Sequence, residues 1–125
     1  MSPENIGDAW SGHLGISFST TDEDATLLTM SLGPQHLNFL DGAHGGALFS
    51  LAEKAVRHVA SHDGSDPTLI DAHLALTAGG EEGDTLQARV EPVNVGRTLG
   101  VYRVTVTRGD GRVVCTLTGT VRFAR

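Results

Sequence analysis

Apolar and polar positions divide the chain into short alternating stretches around one long segment of helical period. From Leu48, steps of about 100° per residue gather Leu51, Ala52, Ala55, Val56 and Val59 into one apolar arc. Phe49 and Ala60 widen that arc to roughly half the circumference, more than a surface helix needs. The pattern therefore predicts a helix enclosed by other structure on several sides. Ser50, Lys54, Arg57 and His58 fill the polar strip, and Glu53 falls on its border, beside the buried face.

The remaining patterned stretches read as strands. Residues 15–20 and 25–32 form two strands around the acidic turn Thr21-Asp22-Glu23-Asp24, and Gly33-Pro34 opens a loop toward the helix. Residues 61–67 read as a loop by composition. Beyond them Ile70, Ala72, Leu74 and Leu76 alternate with Asp71, His73 and Thr77, the pattern of a half-buried strand. After the glycine-rich turn at 79–84, Leu86, Ala88 and Val90 begin another strand, with Pro92 marking a bulge or an edge. Asn94-Val95-Gly96-Arg97 turns the chain again. Residues 98–107 then pair with 112–123 across Gly109-Asp110-Gly111. Two strands, one helix and four strands predict an α+β domain, with an antiparallel sheet of about five to six strands around the helix. Four consecutive strands after a single helix argue against a parallel sheet. Residues 1–13, with Trp10 as their large apolar anchor, are expected to pack on the body as an arm.

At 125 residues the chain has the length of one domain. Its net charge of −6 disfavours nucleic acid or an anionic membrane as the main partner. No apolar run reaches the length of a membrane span, and Met-Ser-Pro-Glu-Asn lacks the character of a signal peptide, so a cytoplasmic location is expected. The single Cys115 excludes an intramolecular disulfide and argues against a cysteine zinc site.

The candidate chemistry lies around the helix entrance. His44-Gly45-Gly46 leads into the apolar period, and the first N–H groups of a helix lack helical partners and attract developing negative charge. Glu53 lies about 12 Å further along the axis at 1.5 Å per residue. One chain can hardly bring both groups to a small substrate, whereas helices from two symmetric chains can. Each residue also has a plainer reading. Glu53 can pair with Arg57 at i, i+4. His44 can be a base, a metal ligand or a group that shapes the entrance. The glycines can serve close packing, Asn38 can be a turn residue, and Arg97 can be a solvated turn charge. His36, His58, His62 and His73 carry no metal-ligand pattern, and surface or core positions are expected for them.

The stretch His36-x-Asn38…Gly42-x-His44-Gly45-Gly46…Leu51-Ala52-Glu53, with the order of elements, resembles the hotdog-fold acyl-CoA thioesterases. It is most similar to the small enzymes of the phenylacetate-pathway and 4-hydroxybenzoyl-CoA type. The likeness runs from about Gly12 to the C-terminus and takes in Gly83-Asp84, Gly96-Arg97-Thr98 and Gly119-Thr120. The resemblance implies a hotdog fold and a homodimer or dimer-of-dimers tetramer with active sites at the dimer interface. It implies acyl-CoA hydrolysis without a metal or other cofactor, coenzyme A being part of the substrate. Glu53 would be the general base or nucleophile. It would face Asn38 and the Gly45 amide of the neighbouring chain, and that amide would polarise the thioester carbonyl. His44, Gly46, Phe39, Phe49 and Arg97 would contact substrate, Arg97 through coenzyme A phosphates. Three features depart from some or many relatives. Glu53 stands where many of the phenylacetate type carry Asp, although the hydroxybenzoyl type uses Glu. Leu69, with Thr68 adjacent, stands where a Ser or Thr is common, and Gly79-Gly80 where many have Pro-Ala. Two other classes are a non-catalytic acyl-CoA sensor on this fold and a dehydratase or hydratase, which would need a paired Asp and His that the spacing does not supply.

Overall fold

Helix α2 (Gly45–Asp63) is the centre of the domain: Ala47, Leu48, Leu51, Ala52, Ala55, Val56, Val59 and Ala60 are all buried. In the computed structural model, which describes residues 7–18, 27–63 and 66–124, a six-stranded antiparallel sheet supplies the cover. Its strands are β1 (Ile16–Phe18), β2 (Leu27–Ser31), β3 (Pro67–Leu76), β4 (Thr85–Val95), β5 (Leu99–Thr107) and β6 (Val113–Phe123), ordered β1-β2-β4-β5-β6-β3. The helix packs on β2, β3, β4, β5 and β6, which explains why its apolar arc is so wide. The predicted acidic turn, with the flanking ends of the two predicted strands, lies outside the described residues, as do residues 1–6 of the arm.

Alternation sets the inner face of the sheet. Leu86, Ala88 and Val90 on β4 pair with Met30 and Leu28 on one side and with Val106 and Val104 on the other, all buried against the helix. On β6, Cys115, Leu117, Val121 and Phe123 face the same core, and burial pushes the Cys115 thiol up to about 11. The β5–β6 turn falls at Gly109-Asp110-Gly111 as the glycines predict; Gly111 has φ 87° and its N–H donates to the Arg108 carbonyl at 2.8 Å. At Pro92 the ladder with β5 shifts register, so the expected bulge is there.

Three expectations are corrected. First, the helix runs through Ser61, His62 and Asp63, which composition assigns to a loop. Its last turn is held by the buried Tyr102, whose hydroxyl donates to Asp63 Oδ2 at 2.9 Å. Second, the arm contains helix α1 (Ala9–Leu14). Asp8 caps it by accepting the Ser11 N–H at 2.8 Å, and Gly15 ends it in the left-handed region at φ 75°. Ser11 and Leu14 are its buried residues, whereas Trp10 is 58% exposed and is no core anchor.

Third, Ile70 does not face the core. A bulge between Leu69 and Asp71 displaces it, and Leu69 takes the inward place opposite Val121. Ala72, Leu74 and Leu76 do pair with the inward residues Gly119, Leu117 and Cys115, yet Leu76 stays 57% exposed and Ile70 51%. The reason is position: β3 ends the sheet, so its outer edge has no neighbouring strand. Among the described residues, no helix is long and apolar enough to cross a membrane.

Candidate active site

The loop between β2 and α2 folds back on itself before the helix starts. A 3-10 turn (Pro34–His36) follows Gly33, and an isolated bridge joins Leu37 to Ala43. Within it, the Asn38 N–H donates to the Gly42 carbonyl at 2.7 Å, and Asn38 Oδ1 accepts the N–H groups of Leu40 at 2.9 Å and Gly42 at 3.1 Å. Asp41 takes φ 61°, a left-handed conformation that Asp tolerates better than most residues. The loop is also tied to the turn after β3, where the Gly80 carbonyl accepts the Ala43 N–H at 2.9 Å. Gly80 lies so close that a Cβ would come within 2.8 Å of Leu32 Cδ1 and 3.3 Å of Ala43 Cβ. The Gly79-Gly80 departure noted in the sequence therefore falls on a contact that fixes this loop.

At the entrance itself, His44 is the organising residue. Its carbonyl accepts the N–H groups of Ala47 at 3.0 Å and Leu48 at 3.2 Å, and its own N–H donates to the His36 carbonyl at 2.7 Å. Its Nδ1 accepts the Gly46 N–H at 2.8 Å, so the side chain shapes the entrance. With Gly46 engaged, the Gly45 N–H is left as the amide at the head of α2 without a hydrogen-bond partner among the described residues. Gly45 packs tightly on the sheet, a Cβ there meeting Leu76 Cδ1 at 3.2 Å.

Of the candidate residues, Asn38, His44, Gly45 and Gly46 gather in this one loop and turn of helix. Glu53 does not join them, lying two turns along α2 with 25% of its side chain exposed and Arg57 Nη1 at 3.5 Å from Oε2. Phe39 is 92% exposed at the loop tip, while Phe49 packs half-buried against the core. Arg97 follows the end of β4, at the tip of the β4–β5 connection. That end of the sheet lies by the C-terminus of α2, where Tyr102 meets Asp63, and the helix entrance is at the opposite end. Within one chain Arg97 is therefore remote from Gly45. A cleft of about 390 Å³ adjoins the entrance, walled by Trp10, Leu14, Leu37, His44, Ala47 and Ser50. The Trp10 indole N–H donates to Ser50 Oγ at 2.9 Å, and that hydroxyl donates to the Gly46 carbonyl at 2.8 Å. Among the described residues, no group of three or more His, Cys, Asp or Glu side chains is placed to hold a metal ion.

Two contributors to this region escape sequence reasoning. Trp10 and α1 reach the entrance from a segment whose only signals are a cap aspartate and a terminal glycine. His36 stands in the stretch that carries the resemblance, but nothing there marks that its ring reaches back 22 residues to the Leu14 carbonyl.

Comparison with known proteins places this architecture. Residues 42–115 match the model of the thioesterase superfamily. The acyl-coenzyme A thioesterase PaaI of Escherichia coli is 30% identical over 112 residues, covering 90% of this chain and 80% of its own. The solved structure of the E. coli PaaI protein from the phenylacetic acid degradation operon superposes with TM-score 0.88 at 27% identity, covering 95% of this chain and 86% of that one. A Streptococcus mutans protein solved bound to acetyl CoA gives TM-score 0.76 at 30% identity, over 78% of this chain and 79% of its own. The six-stranded sheet around one long helix is the hotdog fold of these proteins, and the chain belongs to the thioesterase superfamily as a hotdog-fold thioester hydrolase.

Proposed function

We propose that the protein hydrolyses an acyl-CoA thioester at a site shared by two chains. The observation that carries this reading is the Gly45 N–H, unpartnered among the described residues at the head of a 19-residue helix. There the helix dipole adds to a donor aimed at developing negative charge. Asn38 adds to it. With its oxygen committed to Leu40 and Gly42, its Nδ2 group is the end available to a substrate or a water. The E. coli relative that acts on acyl-coenzyme A and the S. mutans neighbour that holds acetyl CoA support the same substrate class.

Glu53 of the second chain completes the chemistry. In one route its carboxylate removes a proton from water as the oxygen attacks the carbonyl carbon; the tetrahedral oxyanion collapses, the C–S bond breaks, and the thiolate leaves to be protonated. In the other route the carboxylate attacks directly, expels the thiolate and leaves a mixed anhydride that water opens. Pairing of chains is favoured by the open edge of β3, by exposed Ile70 and Leu76 on it, and by exposed Phe39 and Leu40 on the site loop. Coenzyme A contacts by Arg97, with acyl contacts by Phe39, Phe49, His44 and Gly46, belong to this proposal and depend on how the two chains meet.

The test is an acyl-CoA panel of short, medium, long and aromatic acyl groups, read by thiol release from the wild type and Glu53→Gln. Loss of about 10² or more in kcat in the folded variant is expected for a positioned base. Near-normal kcat would leave Glu53 as the Arg57 ion-pair partner and nothing more. Acyl-CoA binding without turnover across the panel would make the chain a sensor.

A further inference from the structure

His36 is 1% exposed, and every polar group it owns is engaged. Its Nδ1 accepts the Gly33 N–H at 2.8 Å, so in the ring that makes this bond the proton sits on Nε2, which donates to the Leu14 carbonyl at 2.6 Å. Its own N–H donates to the Gly33 carbonyl at 3.0 Å, and its carbonyl accepts the His44 N–H at 2.7 Å. The ring thus joins the end of α1 to the turn after β2, and the backbone carbonyl of the same residue joins that turn to the helix entrance. An apolar side chain of similar size would fill the space but leave the Gly33 amide and the Leu14 carbonyl without these partners.

We propose that His36 is a positioning residue for the oxyanion site, acting through His44. The peptide between His44 and Gly45 is planar, so its orientation fixes where the Gly45 N–H points. That peptide is pinned on one side by the His44 carbonyl, which takes the Ala47 and Leu48 amides, and behind it by the His44 N–H on His36. The Gly33 bond to the ring sets the turn that aims the His36 carbonyl. The inference rests on reading Gly45 as the donor to the thioester carbonyl. Its test therefore has one readout that does not need turnover.

Three variants separate the bonds. His36→Leu removes both ring contacts. His36→Asn retains an acceptor near the place of Nδ1, and His36→Gln retains a donor near that of Nε2. Amide hydrogen exchange at His44 and Gly33 is measured by NMR, together with kcat and KM for an acyl-CoA that the wild type hydrolyses. His36→Leu is expected to speed His44 exchange and to lower kcat by about tenfold or more with KM little changed, the scale on which small misplacements of a donor act. His36→Asn should recover most of both, and His36→Gln should not. Wild-type His44 exchange in folded His36→Leu would overturn the latch, and wild-type kcat there would overturn the positioning role. If His36→Leu does not fold, the other two decide: recovery in Asn but not Gln supports the proposal, and equal behaviour overturns it. Should the wild type hydrolyse no acyl-CoA, the Gly45 reading fails, while His44 exchange still judges the latch.

Discussion

Asn38 Oδ1 accepts the Gly42 N–H at 3.1 Å, and this bond decides which end of the Asn38 amide can serve a substrate. The oxygen is the hinge of the loop, and the nitrogen is the end left for chemistry. Asp at position 38 retains the acceptor oxygen and deletes the donor, whereas Ala deletes both. Asn38→Asp should keep a melting temperature close to that of the wild type and lose about tenfold or more in kcat, since it replaces a donor with a negative charge near the developing oxyanion. Asn38→Ala should lose about 1 kcal/mol of stability as well, the scale of a hydrogen bond. Unchanged turnover in Asn38→Asp would confine Asn38 to the turn.

The edge strand carries the assembly prediction. Ile70 is bulged out of the β3–β6 ladder and 51% exposed at the open side of the sheet. Ile70→Lys places a charge where two chains would meet, a device that natural edge strands use against pairing. Sedimentation should show the wild type as a dimer or larger at micromolar concentration. The variant should shift toward monomer and lose turnover with it. A wild-type monomer with full activity would rule out the shared site.

Acid should weaken the hold on α1. Partial burial on its own raises the Asp8 carboxyl, but the Ser11 N–H, the Lys54 ammonium at 3.0 Å and the Ser11 hydroxyl together hold it below its ordinary value. A depressed folded pKa contributes stability that is present above the unfolded value, about 4, and is lost as pH falls through the folded one. Thermal melts of the wild type and Asp8→Asn should therefore differ at neutral pH and converge below about pH 4. The gap should stay under about 1 kcal/mol, because the carboxylate is 46% exposed and screened by water. A gap that persists unchanged at low pH would show that the charge of Asp8 is not what holds the helix.

The parts legible in sequence are those with a period or a fixed turn chemistry. The α2 arc from Leu48 to Ala60 repeats long enough to be read alone, and the glycines at 109 and 111 mark their hairpin. Alternation places Ile70 inward, because it carries no sign of where one extra residue enters a ladder. The six residues of α1 are too few for a periodic signal, and Ser61 to Asp63 are polar although Tyr102 holds them in the helix. In the site, the spacing of Asn38, Gly45 and Glu53 was visible because all three hang on one loop and one helix. The remoteness of Arg97 from Gly45 depends on which ends of the sheet lie together, and the contact of His36 with Leu14 on how α1 docks; no local pattern encodes either.

The strand order also has a consequence for how the domain forms. Ser31 and Thr85 are partners in neighbouring strands, yet the site loop, α2 and β3 all lie between them in the chain. β3 likewise reaches its place beside β6 only after β4 and β5 have been passed. Among the described strands, only β1–β2, β4–β5 and β5–β6 pair with their neighbours in the chain, so the sheet closes through two long excursions whose entropy must be met before their contacts exist. The loop holding Asn38 and the Gly45 amide lies inside the larger of these excursions. A chain that has not closed its sheet has no such pocket, so the capacity to recognise a thioester is gained at the same moment as the fold.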